Sequence, residues 1–130
     1  MSIEIAPWLA VADATRAVEF YAAAFGADVL ERLTGDGGRV EVAELAVGGA
    51  RFWVQRDGES SPEALGGRSP VRMILVVGDP DALFARALAA GATAVAPVGE
   101  GHGWRTGRIV DPSGHHWEIG RRLAPVSTAR

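Results

Sequence analysis

A chain of 130 residues, 48% of them hydrophobic and 22% charged, has the size and balance of one globular domain able to bury a single core. Its net charge of −3, with no basic cluster larger than Arg121-Arg122, argues against nucleic acid, and no apolar run approaches the roughly 18 residues that a membrane span requires. The absence of cysteine removes disulfides, thiolate metal sites and cysteine nucleophiles. The opening MSIEIAPWLAVAD has no basic region ahead of a long apolar stretch, so no secretory leader is expected and a cytoplasmic location is.

In chain order, Ile3 to Val11 reads as a strand. Asp13 then suits a helix N-cap, where its carboxylate accepts from free N–H groups of the first turn. Ala17, Val18, Tyr21, Ala24 and Phe25 recur at helical spacing, and Gly26 suits the left-handed position past a helix end. Ala27 to Leu33, Val40 to Val47 and Ala50 to Gln55 read as strands, the last two joined by the hairpin signal Gly48-Gly49. Asp57 to Pro70 is rich in Gly, Ser and Pro and reads as a connection.

The second half repeats this order. Val71 to Val77 is strand-like, Asp79 or Asp81 can cap, and Pro80 fits in or before a first helical turn. Leu83, Phe84, Ala87 and Leu88 continue the helix before Gly91. Ala92 to Val98, Gly107 to Asp111 and His115 to Ile119 follow as strands, with Pro112-Ser113-Gly114 as a turn. Asp13 and Asp79 lie 66 positions apart and Gly26 and Gly91 lie 65 apart, which is half the chain. Each half therefore reads β-α-β-β-β. The expectation is an α+β fold of two βαβββ modules that form a curved mixed sheet around a cleft, with the helices outside. One domain is expected over 1–130, with module one over about 1–57, a linker at 58–69, module two at about 70–122 and a tail at 123–130.

The segment PWLAVADATRAVEFYAAAFGADVLE (7–31) resembles the opening strand and helix of the glyoxalase/bleomycin-resistance (vicinal oxygen chelate) superfamily. GRIVDPSGHHWEIG (107–120) is similar to that superfamily's last hairpin, and Gly103-Trp104-Arg105-Thr106-Gly107 to its PhnB-like branch. The resemblance implies a cleft that commonly holds a divalent metal, and a homodimer. The ligand positions it implies fall on Ala6, Trp53, Met73 and Glu118, with Glu4 and Glu44 as candidates if the register shifts. Glu118 alone of the four suits such an ion: alanine has no donor atom, indole offers only an N–H, and a thioether prefers soft copper. His116, two before Glu118, shares its strand face, so a metal remnant, an acid–base pair or a structural hydrogen bond are all open. One carboxylate and one imidazole fall short of the three protein ligands usual in a catalytic site.

By strand parity Trp8 and Trp53 should face the cleft and Trp117 should pack under a helix, while Trp104, on the loop before the last hairpin, should overhang the mouth. The candidate ligand-binding residues are thus Trp8, Trp53, Met73, Leu75, Trp104, His116 and Glu118, a lining suited to an apolar or cationic-aromatic compound. Arg51 and Gln55 share parity with Trp53; His102 and His115 read as exposed turn residues; Arg105 and Arg108 could bind an anionic group, with surface ion pairs as the leading reading. Gly99 and Gly101 precede no helix, so no phosphate loop is implied. The leading expectation is a small-molecule-binding protein with no cofactor. The alternative is a divalent-metal enzyme (lyase, isomerase, dioxygenase or thiol transferase) using Glu118 and His116, and metal-free acid–base catalysis by the same pair is the third.

Overall fold

The computed structural model describes residues 2–61 and 71–124. Most of the expected linker, at 62–69, and most of the expected tail, at 125–130, lie outside the described residues. The element order repeats as the sequence does: β1 (Trp8–Val11), α1 (Ala14–Phe25), β2 (Asp28–Thr34), β3 (Val40–Val47) and β4 (Ala50–Arg56), then β5 (Met73–Val76), α2 (Pro80–Ala89), β6 (Thr93–Gly101), β7 (Trp104–Val110) and β8 (His116–Arg122). A 3-10 turn at Asp36–Gly38 sits between β2 and β3. No helix among the described residues is long and apolar enough to cross a membrane.

Local chemistry places the helices where the sequence puts them. The Asp13 side chain accepts from the Arg16 backbone N–H at 3.1 Å, and Asp79 does the same for Ala82 at 3.1 Å with Pro80 in the first turn. Asp79 is therefore the cap, which leaves Asp81 to pair with Arg105. Gly26 ends α1 at φ 68°, a conformation that costs residues with a Cβ about 1 kcal/mol or more. The first strand is shorter than the sequence suggests and begins at Trp8, with the Pro7 carbonyl oxygen accepting from the Trp53 backbone N–H, and Trp104 opens β7 rather than standing on a loop.

The strands form two four-stranded mixed sheets, β1-β4-β3-β2 and β5-β8-β7-β6. In each, the first strand runs parallel to the last and the remaining neighbours are antiparallel. Strand alternation sends Leu9, Val11, Leu45, Phe52 and Val54 to one face of the first sheet, and Ile109, Trp117 and Ile119 to one face of the second. These faces and the two helices share one apolar cluster, and α1 and α2 touch each other. Trp117 packs within 4.9–5.5 Å (ring centroids) of Phe25, Phe52 and Tyr21, three rings of the first module. Burying an aromatic of that size is worth roughly 2–3 kcal/mol. The helices thus lie on the shared inner side, and both helix-free sheet faces look away from the core. The architecture is the α+β pair of βαβββ modules that the sequence predicts, with two four-stranded mixed sheets and two helices.

Polar contacts fix the modules to each other. Buried Asp111 accepts from the Ser113 and His115 backbone N–H groups through Oδ1, and from the Tyr21 hydroxyl and Trp117 Nε1 through Oδ2. His115, expected to be exposed, instead donates from Nε2 to the Ala10 carbonyl oxygen at 2.7 Å. Arg86 donates to the Ala23 carbonyl oxygen at 2.6 Å. Gly120 is needed at its position, since a Cβ there would meet the Arg105 carbonyl oxygen and the Thr106 side chain at 2.8 Å.

Candidate ligand-binding site

The helix-free face of the first sheet carries the two tryptophans. Trp8 and Trp53 are register partners on parallel neighbours β1 and β4, so both indoles leave the sheet on the side opposite Leu9 and Phe52. They stack with centroids 5.5 Å apart and planes at 23°. Gln55, two residues beyond Trp53, accepts from Trp8 Nε1 at 2.9 Å and fixes the outer indole, which stays 54% exposed. Glu44 lies opposite Trp53 on β3 and pairs with Arg51 at 3.8 Å. The position facing Trp53 on the first strand is thus Trp8; Ala6 precedes the strand.

A cavity of about 990 Å³ opens where the unpaired edges of β1 and β5 approach, lined among others by Trp8, Leu9, Phe52, Met73, Leu75 and Trp117, with Glu4, Arg51 and Arg72 as its charged groups. Of the residues expected to bind, this cavity gathers Trp8, Met73 and Leu75, and Trp53 adjoins it through the stack. Met73 and Leu75 do not share a face with Glu118. They register with Trp117 and Ile119 and pack on the core, so Ile74 is the residue opposite Glu118. The two-residue period of the strand makes this a one-position difference with the opposite outcome for every side chain.

Glu118, His116 and Arg108 stand on the helix-free face of the second sheet. Arg72 holds the Glu118 carboxylate at 3.2 Å, and Arg108 Nε donates to His116 Nδ1 at 3.1 Å, with that imidazole nitrogen as the acceptor. Trp104 is occupied differently, with the Arg122 guanidinium 4.8 Å above its ring. Arg105, on the other face, pairs with Asp81 at 2.6 Å and Glu100 at 3.3 Å, and its hydrogen bonds hold the Asp81 carboxyl below the usual range. Arg108 makes no ion pair among the described residues, contrary to the sequence expectation.

The donor set does not fit a divalent ion. The Glu118 carboxylate is engaged by a guanidinium, His116 Nδ1 by another, and the matching positions on the first sheet are two indoles without a lone pair to give. Glu44 is paired with Arg51, and among the described residues no three His, Asp or Glu side chains come together as a metal group. Sequence reasoning passed over Gln55 as the clamp on Trp8 and Asp111 as the joint between modules. Parity with Trp53 was the available signal for the first, and the turn motif alone carried none for the second.

Paired βαβββ modules define a fold and not one activity. The profile of the glyoxalase-like domain matches residues 7–120, and the chain belongs to that family within the glyoxalase/bleomycin-resistance superfamily. It is 40% identical to an uncharacterized protein of Mycobacterium tuberculosis over 95% of this chain and 76% of that one. Among solved structures it is similar to TioX from Micromonospora sp. ML1, with 32% identity, a TM-score of 0.72, and coverage of 96% of this chain and all (100%) of the other. The bleomycin-binding protein of Streptomyces verticillus, solved with copper(II)-bleomycin, shares the fold at a TM-score of 0.64 and 22% identity over 96% of this chain and 98% of that one.

Proposed function

We propose that this chain is a metal-free small-molecule-binding protein that sequesters a flat apolar or aromatic compound against Trp8 and Trp53, in a homodimer. The observation that carries the reading is the stacked indole pair at the mouth of the cavity, with the outer ring clamped by Gln55 yet 54% exposed. A cationic ligand finds less support, since Glu44 and Glu118 are each already paired with an arginine. The same fold binds copper(II)-bleomycin in the bleomycin-binding protein of Streptomyces verticillus. A metal enzyme would need Glu118 and His116 released from Arg72 and Arg108, and no observation favours that. Placement in the PhnB-like branch rests on residues 103–107 alone.

Two features support the homodimer. Ile5, Val71, Ile74 and Val76 are 56–95% exposed around the β1 and β5 edges, an apolar surface suited to covering by another copy. The helix-free face of the first sheet carries Asp28, Glu31 and Glu44 against Arg51, whereas that of the second carries Arg72, Arg108 and Arg122 against Glu118. Opposite charge lets the first-sheet face of one copy meet the second-sheet face of the other, twice, in a closed two-fold pair.

Sedimentation velocity, together with tryptophan-fluorescence titration by the neutral flat amine N-phenyl-1-naphthylamine in chelator-containing buffer, tests the reading. A dimer with saturable quenching is expected. A monomer would remove the homodimer, and a linear, unsaturable response would remove the aromatic site.

A further inference from the structure

Arg108 has an arrangement that neither the fold nor the proposed aromatic site requires. It stands on β7, an interior strand of the second sheet, and faces away from the helices beside Glu118, its register partner on β8. Glu118 is nevertheless held by Arg72 at 3.2 Å, so the carboxylate nearest in register does not neutralise Arg108. The side chain is partly buried and oriented through its Nε, which donates to His116 Nδ1, and His116 is itself only 4% exposed. The imidazole accepts that bond without bringing a negative charge. Both terminal guanidinium nitrogens have no partner among the described residues.

We infer that Arg108 is the anchor for an oxyanion group of the ligand, a carboxylate, sulfonate or phosphate, with His116 as its positioning residue. A guanidinium held at Nε presents its two terminal N–H groups as a fork, the geometry that receives two oxygens of one anion. Arg72 and Arg122 on the same face add positive potential, and exposed Ile74 beside them offers apolar contact to the rest of the molecule. The inference deepens the proposed function and rests on it: the homodimer sets this face against the Trp8–Trp53 face of another copy, so one compound carries its ring to the indoles and its anion to the arginine.

Two dyes that differ by a single sulfonate separate the parts. 8-Anilinonaphthalene-1-sulfonate and N-phenyl-1-naphthylamine are titrated into wild type, Arg108→Met and Trp53→Ala. Wild type should prefer the sulfonate by about tenfold to a hundredfold, as expected for charge-assisted hydrogen bonds in a partly buried site. Arg108→Met should erase the preference while leaving the neutral amine bound as before, and Trp53→Ala should weaken both dyes. Equal binding of the two dyes by wild type, or equal weakening of both by Arg108→Met, overturns the anchor and leaves the aromatic site standing. If neither dye binds, the aromatic site falls. The anchor is then judged by thermal stabilisation in inorganic phosphate at constant ionic strength: stabilisation of wild type but not of Arg108→Met sustains it, and none in either overturns it.

Discussion

Asp111→Ala should cost the fold about 4 kcal/mol, a large part of the roughly 5–15 kcal/mol that a domain of this kind has. The carboxylate is 3% exposed and serves four donors, two of them backbone groups of its own turn and two on Tyr21 and Trp117. Alanine leaves Tyr21 and Trp117 with buried polar atoms and no acceptor, at the point where α1 of the first module meets β8 of the second. Urea unfolding followed by tryptophan fluorescence should show the midpoint falling steeply, and Asp111→Asn, which keeps one acceptor oxygen, should lie between. A midpoint unchanged in both variants would mean that the Asp111 contacts do not hold the modules together.

The same contact has an alkaline signature. Burial first, then the Asp111 charge and hydrogen bond, push the Tyr21 phenol well above its ordinary value of 10.0. The folded chain therefore keeps this proton more tightly than the unfolded one. The stability so contributed is whole below pH 10.0, falls as pH rises from there, and is gone once pH passes the raised folded value. The sequence has one tyrosine, no lysine and no cysteine, so no other side chain titrates between about pH 9 and 12. Wild type should lose stability as pH rises above 10.0, and Tyr21→Phe should be flat there.

The second large effect is on binding. Trp53→Ala should weaken a flat aromatic ligand by roughly thirtyfold to a hundredfold, the equivalent of about 2–3 kcal/mol of aromatic contact. Trp53 supports the Trp8 ring from behind at 5.5 Å, so its removal takes away one platform and loosens the other. Glu118→Ala should change the affinity of a neutral aromatic little, because the carboxylate is already paired with Arg72. The reverse order of effects, measured by the same fluorescence titration, would move the site to the second sheet and revive a role for Glu118.

The modules were legible in the sequence because their signals are local. Asp13, Gly26, Asp79 and Pro80 mark helix ends through contacts within a few residues, and Gly48-Gly49 sets a hairpin through its own backbone. The side on which Trp8, Trp53 and Trp117 emerge also followed from alternation within a strand. What depends on pairing between distant strands was not legible. Met73 was set beside Glu118 by motif alignment, yet the parallel ladder places it opposite Trp117, which only the β5–β8 register decides. Nor does a helical pattern say which rings of the other module a helix meets, and Tyr21 and Phe25 lie against Trp117. His115 and Asp111 read as turn residues because their partners, Ala10 and Tyr21, are 105 and 90 positions away.

The proposed site works through tryptophan and arginine, without a metal. Its most direct test is the metal content of the protein purified without chelator, incubated with Fe(II), Mn(II), Ni(II) and Zn(II), desalted and submitted to elemental analysis. Far less than one ion per chain is expected, with no difference between wild type and Glu118→Ala. Near-stoichiometric metal that disappears in Glu118→Ala would contradict it and make the chain a metalloprotein.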